Sequence, residues 1–444
     1  MKLLVLILFS TLSAYTQTIS GKVLDDQTNE PLENVTIYLK KQNTGTTTNK
    51  KGVYNVPVQI NLTLSDTIIF SSIGYTTKQY VVSELKTINF IVHLSKQTEL
   101  LNEITVYNKN ELKPSIPFKK LAPLKRAIYN FGSTRVGNKL YVIGGDASFY
   151  HDAEKEALDN SLAYGEFLRT LKDNFTWENY SDLLQIYNIE NDTWESKDLE
   201  FEPRAYHKLV NVNNKIYVLG GKTLSLSRKR EYLGNNIEVF DINSNEIIVD
   251  HTNPHQAVNF AAFSFNDNII VTGGSVRQKS NGEKVYTNSS HIFNISSGKW
   301  YELAPMKTPK EVNGILVKDI IYLIGGFNKT PLNTIESYNI KSGIWKHETH
   351  LPFPMKRPSL AFYENIIYIF NEDKILTYNT ENNVINTYKI NLYLKNAQMH
   401  YYDNHLYLLG GNIEDEYTKT PSSNVYKINI HDFKTTTIIS TKRI

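Results

Sequence analysis

The chain of 444 residues contains no cysteine. That absence excludes disulfides, thiolate nucleophiles, Cys-ligated zinc, iron–sulfur clusters and a lipid-modified N-terminal cysteine. Charge of one sign is also scarce: 48 Lys plus Arg against 45 Asp plus Glu leave a net +3, with no long run of either. Nothing here favours a nucleic acid or an anionic membrane as partner. No segment approaches the roughly 18–20 consecutive apolar residues of a transmembrane helix. The residues that are present, 41% hydrophobic with 29 Tyr and 19 Phe alongside frequent Asn and Gly, suit short strands and turns. An all-β protein of two or three domains is expected.

The first residues bear on the compartment. Lys2 precedes the apolar run Leu3 to Phe9, followed by small and polar residues from Ser10 to Thr16. These read as the n-, h- and c-regions of a secretory signal peptide over 1–16, cut before Gln17 with Ala14 and Thr16 at −3 and −1. The expected location is exported: periplasm, outer-membrane periphery or cell surface.

From Thr18 to about 107 short alternating strands are separated by turn residues. The order Ile-Ser-Gly-Lys-Val (19–23), Glu-Pro-Leu-Glu-Asn-Val-Thr-Ile (30–37), Gly-Thr-Thr-Thr-Asn-Lys-Lys-Gly-Val-Tyr (45–54), Ser-Ile-Gly-Tyr (72–75) and Leu-Asn-Glu-Ile-Thr-Val (101–106) resembles the carboxypeptidase-regulatory-like domain. The resemblance implies a transthyretin-like β-sandwich over 17–107. In outer-membrane nutrient receptors of Bacteroidetes such a domain precedes a plug and barrel; here none follows, so transport is not implied. A spacer or docking module toward cell-envelope components is the expectation. Pro114, Pro117 and Pro123 mark 108–125 as a linker.

Six copies of one unit make up the rest. An aromatic-aliphatic strand ends in a Gly pair at 140–145, 216–221, 269–274, 321–326 and 406–411, with a degenerate copy, Ile-Tyr-Ile-Phe-Asn-Glu, at 367–372. Strands such as Leu184-Gln-Ile-Tyr-Asn and Ile237-Glu-Val-Phe-Asp come next, and Trp194, Trp300 and Trp345 open a further strand in three copies. This set resembles the kelch repeat, which implies a six-bladed β-propeller over 126–444. The Gly pairs belong to blade architecture and not to a phosphate loop.

Aligned without gaps on the first Gly of each pair, the copies place Asn130, Tyr206, Asn259, Glu311, Arg357 and Asn396 at one position. All six are polar. Two residues later come Gly132, Lys208, Ala261, Asn313, Ser359 and Gln398, on the same face by period-two alternation; Phe131, His207, Phe260, Val312, Pro358 and Ala397 between them face blade packing. A ring of amides, a phenol, a carboxylate and a guanidinium at the channel mouth suits a small polar or sugar-like ligand, or forms a solvated lining with an ion pair between Glu311 and Arg357.

Blade one carries an insertion, about 146–181, with helical spacing of apolar residues, expected over a propeller face as lid, packing element or ornament. His251 and His255, or His347 and His350, lack a matching carboxylate cluster, so no metal and no cofactor are expected. The favoured function is a non-enzymatic, exported binding scaffold recognising a protein or glycan at the propeller mouth. The enzyme alternative, similar to the sialic-acid mutarotase, assigns Glu311 as general acid/base and Arg357 as the cation for a sugar carboxylate. Copper chemistry of the galactose-oxidase type needs a Tyr–Cys crosslink, which this chain cannot form.

Overall fold

The computed structural model describes residues 17–42, 44–58, 63–96, 111–160, 165, 167–168, 179–225 and 230–443. The signal-peptide reading of 1–16 lies outside them, as does most of the insertion beyond residue 160. The chain forms two compact units, one within Met1–Val106 and one from Tyr107 onward.

In the first unit, a sheet of Gln17–Asp25 between Val53–Val58 and Ile91–Leu94 and a second of Thr44–Thr47, Thr36–Leu39, Thr67–Ser71 and Lys78–Val81 enclose Val23, Ile37, Tyr54, Val56, Ile68 and Phe70. Alternate residues of Val53–Val58 are buried, as a half-covered strand requires. Asp25, at the end of the first strand, accepts from the amides of Gln27 and Thr28 and from the hydroxyl of Tyr75, in the Ser-Ile-Gly-Tyr segment, at 2.8 Å. These bonds hold its carboxyl well below the usual carboxylate range.

The second unit is a six-bladed propeller. Inner strands Gly132–Val136, Lys208–Val212, Ala261–Phe265, Glu311–Val317, Ser359–Tyr363 and Gln398–Tyr402 begin blades one to six, and each lies beside the next, with the sixth beside the first. Each Gly pair lies where one blade meets the following one. A Cβ on Gly220 would stand 2.6 Å from the Phe260 ring, and one on Gly410 2.6 Å from Phe131. Both glycines also have positive φ. Thus the packing column Phe131, His207, Phe260 reads as intended, with each side chain buried. On the outer strands Trp194, Trp300 and Trp345 pack on Tyr187, Phe293 and Tyr338 at ring separations of 4.8–4.9 Å.

Two boundaries depart from the sequence reading. Residues 108–125 are not wholly linker: Lys119–Leu121 pairs with Val425–Asn429 and supplies the outer strand of blade six. Lys113 and Ile116 bridge to Thr436 and Ile390. A three-residue Lys-Lys-Leu strand is too short to show alternation, and the prolines around it hid it. Blade five is wider than four strands. The run Ile366–Asn379 pairs with Ser359–Tyr363 through its first half and with Ile385–Leu394 through its second. Extended, 14 residues would span roughly 46 Å, yet Thr380 N donates to Asn365 O at 2.9 Å. The run therefore doubles back, at Glu372 with φ 59°. The degenerate Asn371-Glu372 is this tight hairpin, and Ile438–Lys442 adds a further strand outside Ile385–Leu394.

The insertion begins on the same face as these loop ends. Tyr150–His151 pairs with Thr418–Lys419 of the blade-six hairpin, and the helix Ala153–Asn160 follows. Asp152 N donates to Tyr417 O at 2.8 Å, and Ala153 and Ala157 are buried. The helix expected from spacing is present here; the remainder of that expectation falls outside the described residues.

Candidate functional site

Five of the six ring residues meet at the axis through Arg357. Asn130, Tyr206, Asn259 and Asn396 have φ between 48° and 63°, the left-handed region that Asn tolerates better than most residues. The backbone makes the ring first: Tyr206 N donates to Asn130 O at 2.7 Å, Asn259 N to Tyr206 O at 3.1 Å, and Val312 N to Asn259 O at 3.0 Å. Three asparagines are therefore explained by backbone conformation before any ligand is considered. Tyr206 is the exception, a bulky side chain at φ 63°. Its hydroxyl donates to Asp146 Oδ2 at 3.0 Å, and burial together with that carboxylate pushes the phenol well above its ordinary value.

Arg357 bridges the ring. Nη1 donates to Oδ1 of Asn130 at 3.2 Å and to Oδ1 of Asn259; Nη2 donates to Oδ1 of Asn396 at 3.2 Å. Its Nε lies 3.9 Å from Glu311 Oε2, an ion pair without a hydrogen bond. Glu311 is fully buried, accepting from Lys284 Nζ at 2.6 Å and Ser275 Oγ at 2.9 Å. Burial raises its pKa, but Arg357, Lys284 and Ser275 outweigh that and hold it below the usual carboxylate value. It is held as a carboxylate whose Oε1 takes both donors, while Oε2 is buried beside Arg357 without a hydrogen-bond partner. The residue expected as general acid/base, Glu311, is thus a buried carboxylate braced by Lys284 and Ser275, and the cation expected for a sugar carboxylate, Arg357, is committed to three amides. The ring is thus a cross-braced floor more than an open binding ring.

Above that floor lies a basin of about 1340 Å³. Loops following the Gly pairs and the segments between blades line it, from Lys222 and Tyr232 through Arg277 and Lys284 to Phe353, Lys356, Lys395 and Lys419. Among the described residues its wall carries eight basic and five acidic side chains. Some charges are matched: Lys222 with Glu231 at 2.5 Å and Lys395 with Glu414 at 3.1 Å. Lys356 and Lys419 instead stand over aromatic rings, Phe327 at 4.3 Å and Tyr129 at 4.0 Å. Enclosure in the basin wall and the neighbouring Arg357 and Lys284 charges pull the Lys356 amine down to about 8, and burial lowers Lys419. These lysines went unnoticed in the sequence because they sit in loops of unequal length, where no periodicity marks them.

Beneath Arg357, Lys208 extends into the channel and donates to Asn313 Oδ1 at 2.6 Å. Burial, then the Arg357 charge, bring its amine down to about 7. Among the described residues no cluster of three or more His, Asp or Glu suited to a metal occurs. His255 instead faces His291, Nδ1 to Nδ1 at 3.0 Å, and bonds the Gly273 carbonyl through Nε2.

Family models agree with both units. The KLHDC2/KLHL20/DRC7 Kelch-repeats domain matches residues 130–371, and the CarboxypepD_reg-like domain matches 19–106. Kelch-like protein 40 of Xenopus tropicalis is 30% identical over 190 residues, 41% of this chain and 29% of the relative. Kelch repeat and BTB domain-containing protein 2 of Cowpox virus (strain GRI-90 / Grishak) is 31% identical over 135 residues, 30% of this chain and 23% of the relative. Kelch repeat and BTB domain-containing protein 12 of Homo sapiens is 25% identical over 226 residues, 48% and 32%. The match spans a third or less of each of these relatives.

Proposed function

The chain belongs to the kelch-repeat family, and from that premise we propose that it is an exported, non-enzymatic binding protein that seats an anionic stretch of a protein or glycan in the mouth basin. One observation supports this reading above others: the basin's excess of basic side chains, with Lys356, Lys419 and the exposed Arg277 in no salt bridge among the described residues. Anions approaching a concave, positively lined surface are steered there and gain charge-assisted hydrogen bonds on arrival. Tyr232, 53% exposed, and Phe353 add apolar contact on the same wall. The pattern of residues 2–16 supports export, and the N-terminal sandwich then serves as a spacer or docking module at the cell envelope.

The test is a solution screen of acidic and neutral peptides and of acidic and neutral glycans against the full chain, repeated with Lys356→Ala and Arg277→Ala. Each lost charged contact should weaken an acidic ligand about tenfold to a hundredfold, with affinity falling as salt rises. A ligand bound equally by wild type and both variants, at all salt concentrations, would place binding elsewhere. Cell fractionation with N-terminal sequencing checks export: an uncleaved cytosolic chain would refute it.

A further inference from the structure

The channel narrows below Arg357 to a small cavity of about 20 Å³, lined by Lys208, Arg357, Tyr206, His207 and amide side chains together with the apolar Phe131 and Ala397. Among the described residues this lining includes two side-chain cations and no carboxylate. Two acids stand just outside this lining: Glu311, engaged by Lys284 at 2.6 Å and 3.9 Å from Arg357, and Asp146, which accepts from the Tyr206 hydroxyl at 3.0 Å. Lys208 carries up to three N–H donors and gives one to Asn313. Of the five Arg357 N–H donors, Nε faces Glu311 at 3.9 Å and three on Nη1 and Nη2 serve Asn130, Asn259 and Asn396, which leaves one on Nη2. A protonated Lys208 and Arg357 repel across this buried space, and an anion between them would offset that repulsion and favour the protonated amine. That volume suits one water-sized or slightly larger atom.

We infer that the propeller channel binds one halide-sized monovalent anion between Lys208 and Arg357, beneath the floor of the basin. The ammonium and the guanidinium donate to it from either side, and the neighbouring amides complete a polar shell. The anion supports the Arg357 brace from below, so it is a structural ligand of the ring and independent of whatever occupies the basin.

Thermal unfolding of the full chain is measured in sodium gluconate with increasing chloride or bromide at constant ionic strength. The expected result is a saturable rise in Tm, about 5 °C at a hundredfold excess over Kd. Lys208→Met removes one of the two cations and abolishes the saturable part, and Lys208→Gln is the substitute if the methionine variant fails to fold. Crystals grown in bromide should show an anomalous peak on the axis between the two side chains. The inference is overturned if halide and gluconate give equal Tm values, if the rise persists unchanged in the Lys208 variant, or if bromide gives no peak in the channel. Failure of the peptide and glycan screen would leave this result untouched, since the channel lies under the basin floor.

Discussion

Arg357 Nη1 donates to Asn130 Oδ1 at 3.2 Å across the central channel, tying the entrance of blade five to that of blade one, 227 residues earlier. Together with Asn259 and Asn396 it makes a brace that backbone pairing alone cannot supply. Hydrogen bonds to charged groups contribute about 1.5–3 kcal/mol each, fewer when solvent reaches them. Arg357→Ala should therefore lower propeller stability by about 2 kcal/mol, read as a shift in the urea midpoint. Arg357→Lys should rescue little, because a single ammonium cannot reproduce the planar fork that reaches three amides. An unchanged midpoint in both variants would mean the brace carries no weight.

Two buried cations at the blade entrances have a comparable role. Arg204, fully buried, pairs with Glu238 at 2.9 Å and donates to Asn236 O at 3.1 Å; buried Lys310 pairs with Glu336 and donates to Gly325 O at 3.3 Å. Removing one partner leaves a charge without compensation inside the protein, at a cost of about 3–5 kcal/mol. Lys310→Met should show that loss in chemical denaturation, and adding Glu336→Gln should recover a substantial part of it. If the double variant is no more stable than the single one, the ion pair is not the cause.

Much of this architecture was readable from the chain. The Gly pairs, the tyrosine-rich strands and the three tryptophans recur with fixed spacing because each blade repeats the same packing contact. Arg204 and Lys310 were not found, for a physical reason: counted back from their Gly pairs they fall in different columns. The blade-four strand carries a register irregularity between Glu311 and Asn313, and a gapless alignment cannot absorb it. Asn130, Asn259, Glu311, Arg357 and Asn396, which share one column of the aligned copies, do come together at the axis. A column of asparagines looks like a ligand shell in sequence, whereas here it reflects left-handed backbone and an arginine that occupies the centre. The basin lysines have no periodic signal at all, since they lie in loops whose lengths differ between blades.

Acid should weaken the fold before the carboxylates titrate. Burial is the first cause that lowers His207 to about 3, His255 to about 4 and His400 to about 4, against an ordinary value of 6.5. Between those limits the unfolded chain binds more protons than the folded one, so stability is fully present above about pH 6.5 and declines as pH falls toward 4. Urea midpoints measured between pH 8 and 4.5 should fall on the acid side, and His255→Gln should flatten part of that slope. A flat profile down to pH 4.5 would contradict the burial argument.

Gly21 in the N-terminal sandwich has no room for a side chain. A Cβ there would stand 2.2 Å from the Phe90 carbonyl oxygen and 2.4 Å from the Tyr54 hydroxyl oxygen. The Phe90 carbonyl is fixed by Lys22 N at 3.0 Å, so it cannot retreat without breaking the sheet joint. Gly21→Ala is expected to destabilise this unit by about 1–3 kcal/mol, as overpacking in a filled core does. Limited proteolysis should show faster cleavage within 17–106 while the propeller fragment persists. Equal cleavage rates for variant and wild type would remove the argument.

The two outer strands that join blades five and six from distant parts of the chain differ in what they hold. Lys119–Leu121 completes blade six, and its surroundings are fixed: Ala122 O accepts from Trp194 Nε1 at 2.9 Å, Ala122 N donates to Asp192 Oδ1 at 2.9 Å, and Leu121 and Leu124 are buried. Losing two such leucines costs about 1.5–3 kcal/mol each in burial alone. It also bares the hydrogen-bonding edge of Val425–Asn429, an invitation to pair with another chain. Ile438–Lys442, by contrast, lies outside an already complete blade five, with four of its five residues exposed. A fragment beginning at residue 126 should therefore aggregate or melt at a much lower temperature than one beginning at 111, whereas removing 438–444 should leave the melting temperature within a few degrees. Size-exclusion chromatography and thermal melts of the three fragments separate these outcomes. If the fragment from 126 is as stable and monomeric as the fragment from 111, the N-terminal strand does not close the ring.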